Sequence, residues 1–93
     1  MNKKYYLIQL VDSQGATFLL RRNGKVFHRT NHGLDKTYKS LRGAKKKAQS
    51  IQKKINALNR PDKINVVQVT FRPCNPLLPD GFYEPVNEVV ASF

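Results

Sequence analysis

The sequence predicts a small α+β domain with the element order β-β-β-α-β, followed by an extended, proline-rich C-terminal arm. Three observations support this class. Apolar and polar residues alternate in runs near both ends of the domain, an Asn-Gly dipeptide separates two of these runs, and one stretch between them has apolar residues every three or four positions. The 93 residues suffice for one modest core, so we expect one domain over residues 1–73, with the arm, residues 74–93, docked on it.

The first three runs predict a three-stranded antiparallel meander. Residues 5–11 are rich in aromatic and β-branched types and end at a turn-forming Asp-Ser-Gln-Gly cluster, which indicates the first strand. Residues 16–22 and 25–30 flank Asn23 and Gly24, the dipeptide that best accepts the two positive φ angles of a two-residue type I′ turn. They therefore predict a hairpin with a basic, exposed tip.

A two-residue loop also fixes which side chains of the hairpin share a face. Leu20 then lies opposite Phe27, and Phe18 lies opposite Arg29. Because this face carries three large apolar side chains, we expect it to cover the core. The other face is mixed in character and carries Leu19, Arg21, Val26 and His28.

The middle of the chain predicts one amphipathic, basic helix of about five turns. Ser40 is the predicted N-cap, although Gly43 stands where a capping box would have Glu or Gln, and the helix should end before Pro61. The apolar stripe of this helix consists of Leu41, Ala44, Ala48, Ile51, Ile55 and Leu58.

Residues 64–72 predict a fourth strand that returns beside the meander after the helix. They alternate again and place Val67, Val69 and Phe71 on one face. Four prolines then lie between residues 73 and 85, so we expect the arm to be an extended segment without regular structure as far as about residue 86.

The charge is the strongest signal in the composition. Seventeen Lys and Arg face six Asp and Glu, for a formal net charge of +11, and residues 36–60 contain nine bases and no acid. Opposite charges four residues apart stabilise a helix by about 0.2–0.5 kcal/mol per pair, and this helix has none. A solvated, lysine-rich face is one interpretation. The one we favour is that an external polyanion supplies the missing counter-charge.

The predicted function is therefore that of a small basic accessory protein that binds DNA or RNA through phosphate contacts, without reading the base sequence. The helix face and the hairpin tip are the two predicted contact elements, because a two-stranded ribbon is narrow enough to enter a major groove. The predicted nucleic-acid-binding residues are Arg21, Arg22, Lys25, Arg29, Lys39, Arg42, Lys45, Lys46, Lys47, Lys53, Lys54 and Arg60.

Other classes of site find little support in the sequence. His28 and His32 have no nearby Cys, Asp or Glu cluster, so we expect no metal or other cofactor. The acids of the domain lie singly in turns, and no nucleophile elbow or phosphate-binding glycine loop occurs, so we expect no enzyme and no small-molecule substrate. A lone cysteine, Cys74, and an N-terminus without signal-peptide features lead us to expect a cytoplasmic protein without membrane association.

Three segments together resemble the small hairpin-helix-strand proteins encoded by phages and prophages of Gram-positive bacteria. These are the run from Thr17 to Phe27, the run Ser40-Leu-Arg-Gly-Ala-Lys-Lys-Lys-Ala, and the closing Val66-Val-Gln-Val strand. The similarity covers roughly residues 5–72 and does not extend to the arm. It implies an early protein of the host cytoplasm that binds nucleic acid or disarms a host defence, as anti-CRISPR proteins do.

The C-terminal arm supports an alternative function. Its apolar residues could complete the core or anchor a partner protein, and its net charge of −3 could lie against the basic domain. The alternative is thus an inhibitor that docks on a host nucleic-acid-processing or defence enzyme, with the partner itself bound to nucleic acid. The candidate partner-binding residues are Leu77, Leu78, Phe82 and Tyr83.

Overall fold

The computed structural model describes residues 4–29, 35–73 and 83–93, which form one α-helix and one five-stranded antiparallel sheet. The α+β class is confirmed, and the observed order β-β-β-α-β-β has one strand more than predicted. The sheet order is β3-β2-β1-β4-β5, so β1 is central and lies between β2 and β4. The elements are β1 (Tyr5–Val11), β2 (Thr17–Leu20), β3 (Phe27–His28), α1 (Leu41–Ala57), β4 (Lys63–Pro73) and β5 (Tyr83–Ser92).

The helix covers one face of the sheet, and the alternation of β1 and β4 divides their side chains between the two faces. Leu7 and Val67 lie opposite each other on the face away from the helix, where Val69 is also buried. The core between helix and sheet is formed by Tyr6, Ile8, Leu20, Ala44, Ala48, Ile55, Ile64 and Val66.

The predicted hairpin register is confirmed, since Leu20 pairs with Phe27. The type I′ turn is wrong, because Asn59 is the one non-glycine residue in the described ranges with a positive φ angle. Arg21 instead closes a four-residue loop by donating its N–H to the carbonyl of Val26 at 2.7 Å. The side chain of Asn23 drives this alternative, because its oxygen accepts the Lys25 N–H at 2.9 Å and tightens a local Asx turn.

Both strands of the hairpin are shorter than predicted, and in β2 the cause is another segment that takes its place beside β1. Tyr38 exchanges both backbone hydrogen bonds with Tyr6, at 2.9 Å each, and Lys36 donates to the carbonyl of Leu20 at 2.8 Å. The chain that leads into the helix therefore inserts between β1 and the tip of the hairpin, and β2 ends where it enters.

The helix begins as predicted, with the hydroxyl of Ser40 accepting the Gly43 N–H at 3.1 Å. It ends at Ala57, before Pro61, and the next residue is the C-cap. Leu58 was predicted in the apolar stripe, and this is wrong: it is 70% exposed because the helical periodicity has already ended there. None of the helices in the described ranges is both long enough and apolar enough to cross a membrane.

A buried glutamine joins the helix to the sheet. Gln52 accepts the Ile64 N–H at 2.7 Å and donates to the carbonyl of Asp62 at 3.1 Å. Its amide also reaches Asn56, at 3.1 Å. These bonds satisfy backbone groups at the start of β4 that no neighbouring strand reaches, and they fix the height of α1 along the sheet.

The prediction that the arm has no regular structure as far as about residue 86 is wrong for its last residues, because a fifth strand begins at Tyr83. Tyr83–Ser92 forms a ten-residue strand that pairs antiparallel with β4 along its length, with a bulge opposite Val66 and Val67. Pro85 is accommodated because β5 is an edge strand. The predicted partner-binding residues Leu77, Leu78 and Phe82, the side chain of Tyr83, and also Cys74 and His32 lie outside the described residues.

Candidate nucleic-acid interface

The helix gathers four predicted bases into one exposed stripe. Arg42, Lys45, Lys46 and Lys53 are all exposed and are separated by three, four, seven, eight or eleven residues, except for the adjacent lysine pair. Exposed Gln49 fills the gap in the spacing, so the stripe follows one flank of the helix. With a rise of 1.5 Å per residue it is about 17 Å long. We call these five residues the basic stripe.

The basic stripe lies on the side of the helix that faces β5. The carbonyl of Ile64 accepts the N–H of Phe93, the residue after β5, and its own N–H donates to Gln52. Gln52 therefore leans toward the β5 side of the sheet. Around the helix axis, the buried Ala44 and Ile55 come first, Gln52 next and the basic stripe after it. The stripe is therefore on the same side of the helix as Gln52.

The bases of the stripe have no acidic partner in the described ranges. Two ion pairs of the described ranges, Arg60 with Asp62, at 2.8 Å, and Arg72 with Glu84, lie off the stripe. The first turn of the helix contains no acid, so its positive dipole end adds to the field of the bases instead of being compensated. The stripe is therefore a concentrated positive surface that needs counterions from outside.

A groove runs along the N-terminal half of the stripe. It has a volume of about 480 Å³ and is lined by Leu41, Arg42, Lys45, Lys46 and Gln49. The lining combines flexible cations with one amide and one apolar side chain. This arrangement can hold a phosphodiester backbone, but nothing in it would distinguish one base from another.

The hairpin residues are not brought into the same surface. Arg21 and His28 point to the sheet face opposite the helix, where they line a shallow cleft of about 250 Å³ with Arg22, Asn23 and Val26. Arg29 points to the helix side, where its guanidinium lies 6.0 Å from the centre of the Phe18 ring. A single flat nucleic-acid surface cannot contact the stripe and both sides of the hairpin together.

The remaining predicted bases also lie apart from the stripe. Lys47, half-buried, and Lys54, exposed, occupy the other flank of the helix, toward β2. Lys39 is exposed just before the N-cap. Arg60 is bound to the buried carboxylate of Asp62, so its role is to close the loop before β4.

Gln49 is the member of the stripe that sequence reasoning missed. It was not included because it is uncharged, but its spacing of seven residues from Arg42 and four from Lys53 was visible. In the described ranges no group of three or more His, Cys, Asp or Glu residues is arranged to hold a metal ion. No protein-family model, curated protein or solved structure matches this chain.

Proposed function

We propose that this protein binds the phosphate backbone of nucleic acid through the basic stripe of α1. The observation that carries the proposal is the stripe itself: four exposed bases on one flank of a helix, without an acid on the helix or an ion pair to any acid in the described part of the chain. The alternative of a protein inhibitor with the arm as its anchor rests on residues outside that part.

Electrostatics set the expected strength and character of the binding. If the four bases of the stripe each neutralise one phosphate, the slope of log K against log salt is about −3.6 on duplex DNA and about −2.8 on a single strand. Such contacts give non-specific affinities of about 10⁻⁴ to 10⁻⁶ M at physiological salt. The binding should therefore be steeply salt-dependent and indifferent to base sequence.

The test is a fluorescence-anisotropy titration with duplex DNA, single-stranded DNA and structured RNA at two salt concentrations. The stripe variant carries Lys45→Glu, Lys46→Glu and Lys53→Glu. The matched control carries Lys4→Glu, Lys25→Glu and Lys63→Glu, all exposed and off the stripe. Each set lowers the formal net charge by six, from +11 to +5.

We expect the stripe variant to lose binding to all three nucleic acids and the control to keep most of it. An equal loss in both variants would mean that net charge, and not the stripe, attracts the ligand. No binding of the unaltered protein at low salt would contradict the proposal and favour the inhibitor alternative.

A further inference from the structure

The outer edge of β5 is a long, open strand edge. β5 has ten residues and lies at the end of the sheet order, so only β4 pairs with it in the described ranges. An edge strand presents unpaired N–H and C=O groups that can take up another strand. What the edge can bind depends on which residues direct these groups outward.

The hydrogen bonds of β1 show, for each strand of the sheet, which residues direct their backbone groups to which neighbouring strand. In antiparallel strands, residues whose backbone groups point to one neighbour alternate with residues whose groups point to the other. Tyr6 bonds to Tyr38, on the β2 side, so Leu7 points to β4 and its partner Val67 points back. Gln68, next along β4, therefore points to β5.

The same alternation places three residues of β5 outward. Glu88 pairs with Gln68 and so directs its backbone groups inward, while Asn87 and Val89 direct theirs to the open edge. Pro85 is two residues before Asn87, so its backbone also faces the open edge. The N–H that proline lacks would point outward, where β4 does not need a donor. The open edge therefore offers two N–H donors and three carbonyl acceptors around Asn87.

We infer that β5 pairs with β5 of a second copy of this chain, antiparallel about a two-fold axis at Asn87. In this register the two Asn87 residues exchange two hydrogen bonds, and each Val89 N–H donates to the carbonyl of the partner's Pro85. Because Pro85 has no N–H, the carbonyl of the partner's Val89 receives no hydrogen bond in this register and is left to solvent. This inference does not depend on the proposed function.

Charge disfavours the two symmetric registers that are shifted by one residue from this one. An axis at Val86 would place Glu84 opposite the partner's Glu88, and an axis at Glu88 would place two Glu88 side chains opposite each other. Like charges directly opposite each other destabilise a strand pair. The axis at Asn87 instead places Glu88 opposite Val86, and Glu84 opposite Val90.

The side chains on the sheet face away from the helix also favour a second copy of this chain at the β5 edge. Val89 is 50% exposed and Phe71 is 36% exposed on that face, where Pro85 lies opposite Phe71. Pairing at Asn87 brings Val89 of each copy beside Pro85 of the other, so part of this apolar surface leaves water. The neighbouring side chain on this face, that of Asn87, is uncharged, so a second basic copy meets no base at the seam.

The test is sedimentation-velocity centrifugation of the full chain over a range of protein concentrations, with two substitutions at the axis. Asn87→Pro removes the outward N–H. Position 87 faces the open edge as position 85 does, and the strand already accepts a proline at position 85. Asn87→Ala removes the side chain and keeps the N–H. We expect the unaltered protein and Asn87→Ala to form dimers and Asn87→Pro to remain monomeric, with far-UV circular dichroism unchanged in all three.

A cross-link tests the register directly. Residues that exchange both hydrogen bonds have Cα atoms about 5.5 Å apart, which is within the range of a disulfide. Asn87→Cys in a Cys74→Ser background should therefore form a disulfide-linked dimer on mild oxidation, and Ser92→Cys in the same background should not. A monomer at every concentration, a dimer that survives Asn87→Pro, or equal cross-linking at both positions would overturn the inference.

Discussion

Gln52 joins α1 to β4 through a side chain that the apolar pattern of the helix does not reveal. Its position, four residues after Ala48 and three before Ile55, places it on the buried face, so its burial could be predicted from spacing. Its partners could not, because the Asp62 carbonyl and the Ile64 N–H come next to it only when the helix lies on the sheet.

Replacing Gln52 by leucine should destabilise the protein by about 2 kcal/mol or more, because each buried backbone group left without a partner costs about 1–3 kcal/mol. Urea denaturation followed by circular dichroism measures the change. Gln49→Leu, an exposed position on the same helix, is the matched control and should change the free energy of unfolding by less than about 0.5 kcal/mol. Equal effects of the two substitutions would mean that the Gln52 hydrogen bonds contribute little.

Tyr38 gives the stability a dependence on alkaline pH. Burial raises the pKa of its hydroxyl above the ordinary value of 10.0. The folded state thus holds the proton more tightly than the unfolded state, so the contribution is complete below about pH 10 and is lost as the pH rises through the folded pKa. The free energy of unfolding should therefore fall over a pH interval that begins near pH 10.

The comparison with Tyr38→Phe isolates this hydroxyl, because every other ionisable group is the same in both proteins. Lys36, whose ammonium lies 5.6 Å from the centre of the Tyr38 ring, is present in both proteins. The phenylalanine variant should lose less stability over the interval. Parallel curves for the two proteins would show that Tyr38 does not contribute.

At the scale of secondary-structure elements, the first strand, the helix and β4 could be predicted because each carries its own periodicity. β5 could not, because Pro85 and the prolines before it are typical of irregular chain. Proline excludes a strand only where its N–H would be needed, and the pairing with β4 shows that Pro85 points outward. The direction in which Pro85 points depends on its pairing with β4 and cannot be read from residues 83–92 alone.

The turn between β2 and β3 also depends on contacts that its own Asn-Gly dipeptide does not specify. The pairing of Leu20 with Phe27 followed from the positions of Asn23 and Gly24, but the turn type did not. The Asn23 side chain accepts the Lys25 N–H, and the inserted residues 35–38 occupy the place beside β1 where β2 would continue. Both effects compete with a type I′ turn.

The N-cap of α1 is an element-scale feature with a measurable contribution. Ser40→Ala removes the hydroxyl that accepts the Gly43 N–H, and N-cap losses of this kind cost about 1 kcal/mol. Ser50→Ala, at an exposed position inside the helix, should instead leave the stability unchanged or raise it slightly, because alanine has the higher helix propensity. Thermal unfolding of both variants checks the prediction, and a stabilised Ser40→Ala protein would contradict it.

At the scale of the whole molecule, the basic stripe and the β5 edge lie on the same side of the sheet centre. A two-fold axis at Asn87, perpendicular to the sheet, places both helices on one side of a continuous ten-stranded sheet. Since each helix lies over β1 and β4, strand spacings of about 4.8 Å put the two helix axes roughly 19 Å apart. The two basic stripes then border a single groove above the seam.

Opposite salt dependences follow for the two proposed interactions. Without nucleic acid, the two stripes repel each other across the seam, so raising the salt from 0.1 M to 1 M, which shortens the screening length from about 10 Å to about 3 Å, should strengthen the dimer. The same change should weaken nucleic-acid binding, because it removes the gain from counterion release. Sedimentation equilibrium and fluorescence anisotropy on the same samples measure both.

A nucleic acid long enough to contact both stripes should also shift the monomer–dimer equilibrium toward the dimer, because it binds the dimer more tightly than the monomer. Asn87→Pro should therefore lower the affinity for a 20-nucleotide strand and leave that for a tetranucleotide unchanged, whereas Asn87→Ala should leave both unchanged. The stripe variant should still dimerise, and at low salt more readily than the unaltered protein, since the charge of each stripe changes from +4 to −2 and the repulsion between the stripes is weaker. If Asn87→Pro weakens binding of long and short strands equally, the stripes act separately and the groove above the seam is not the binding surface.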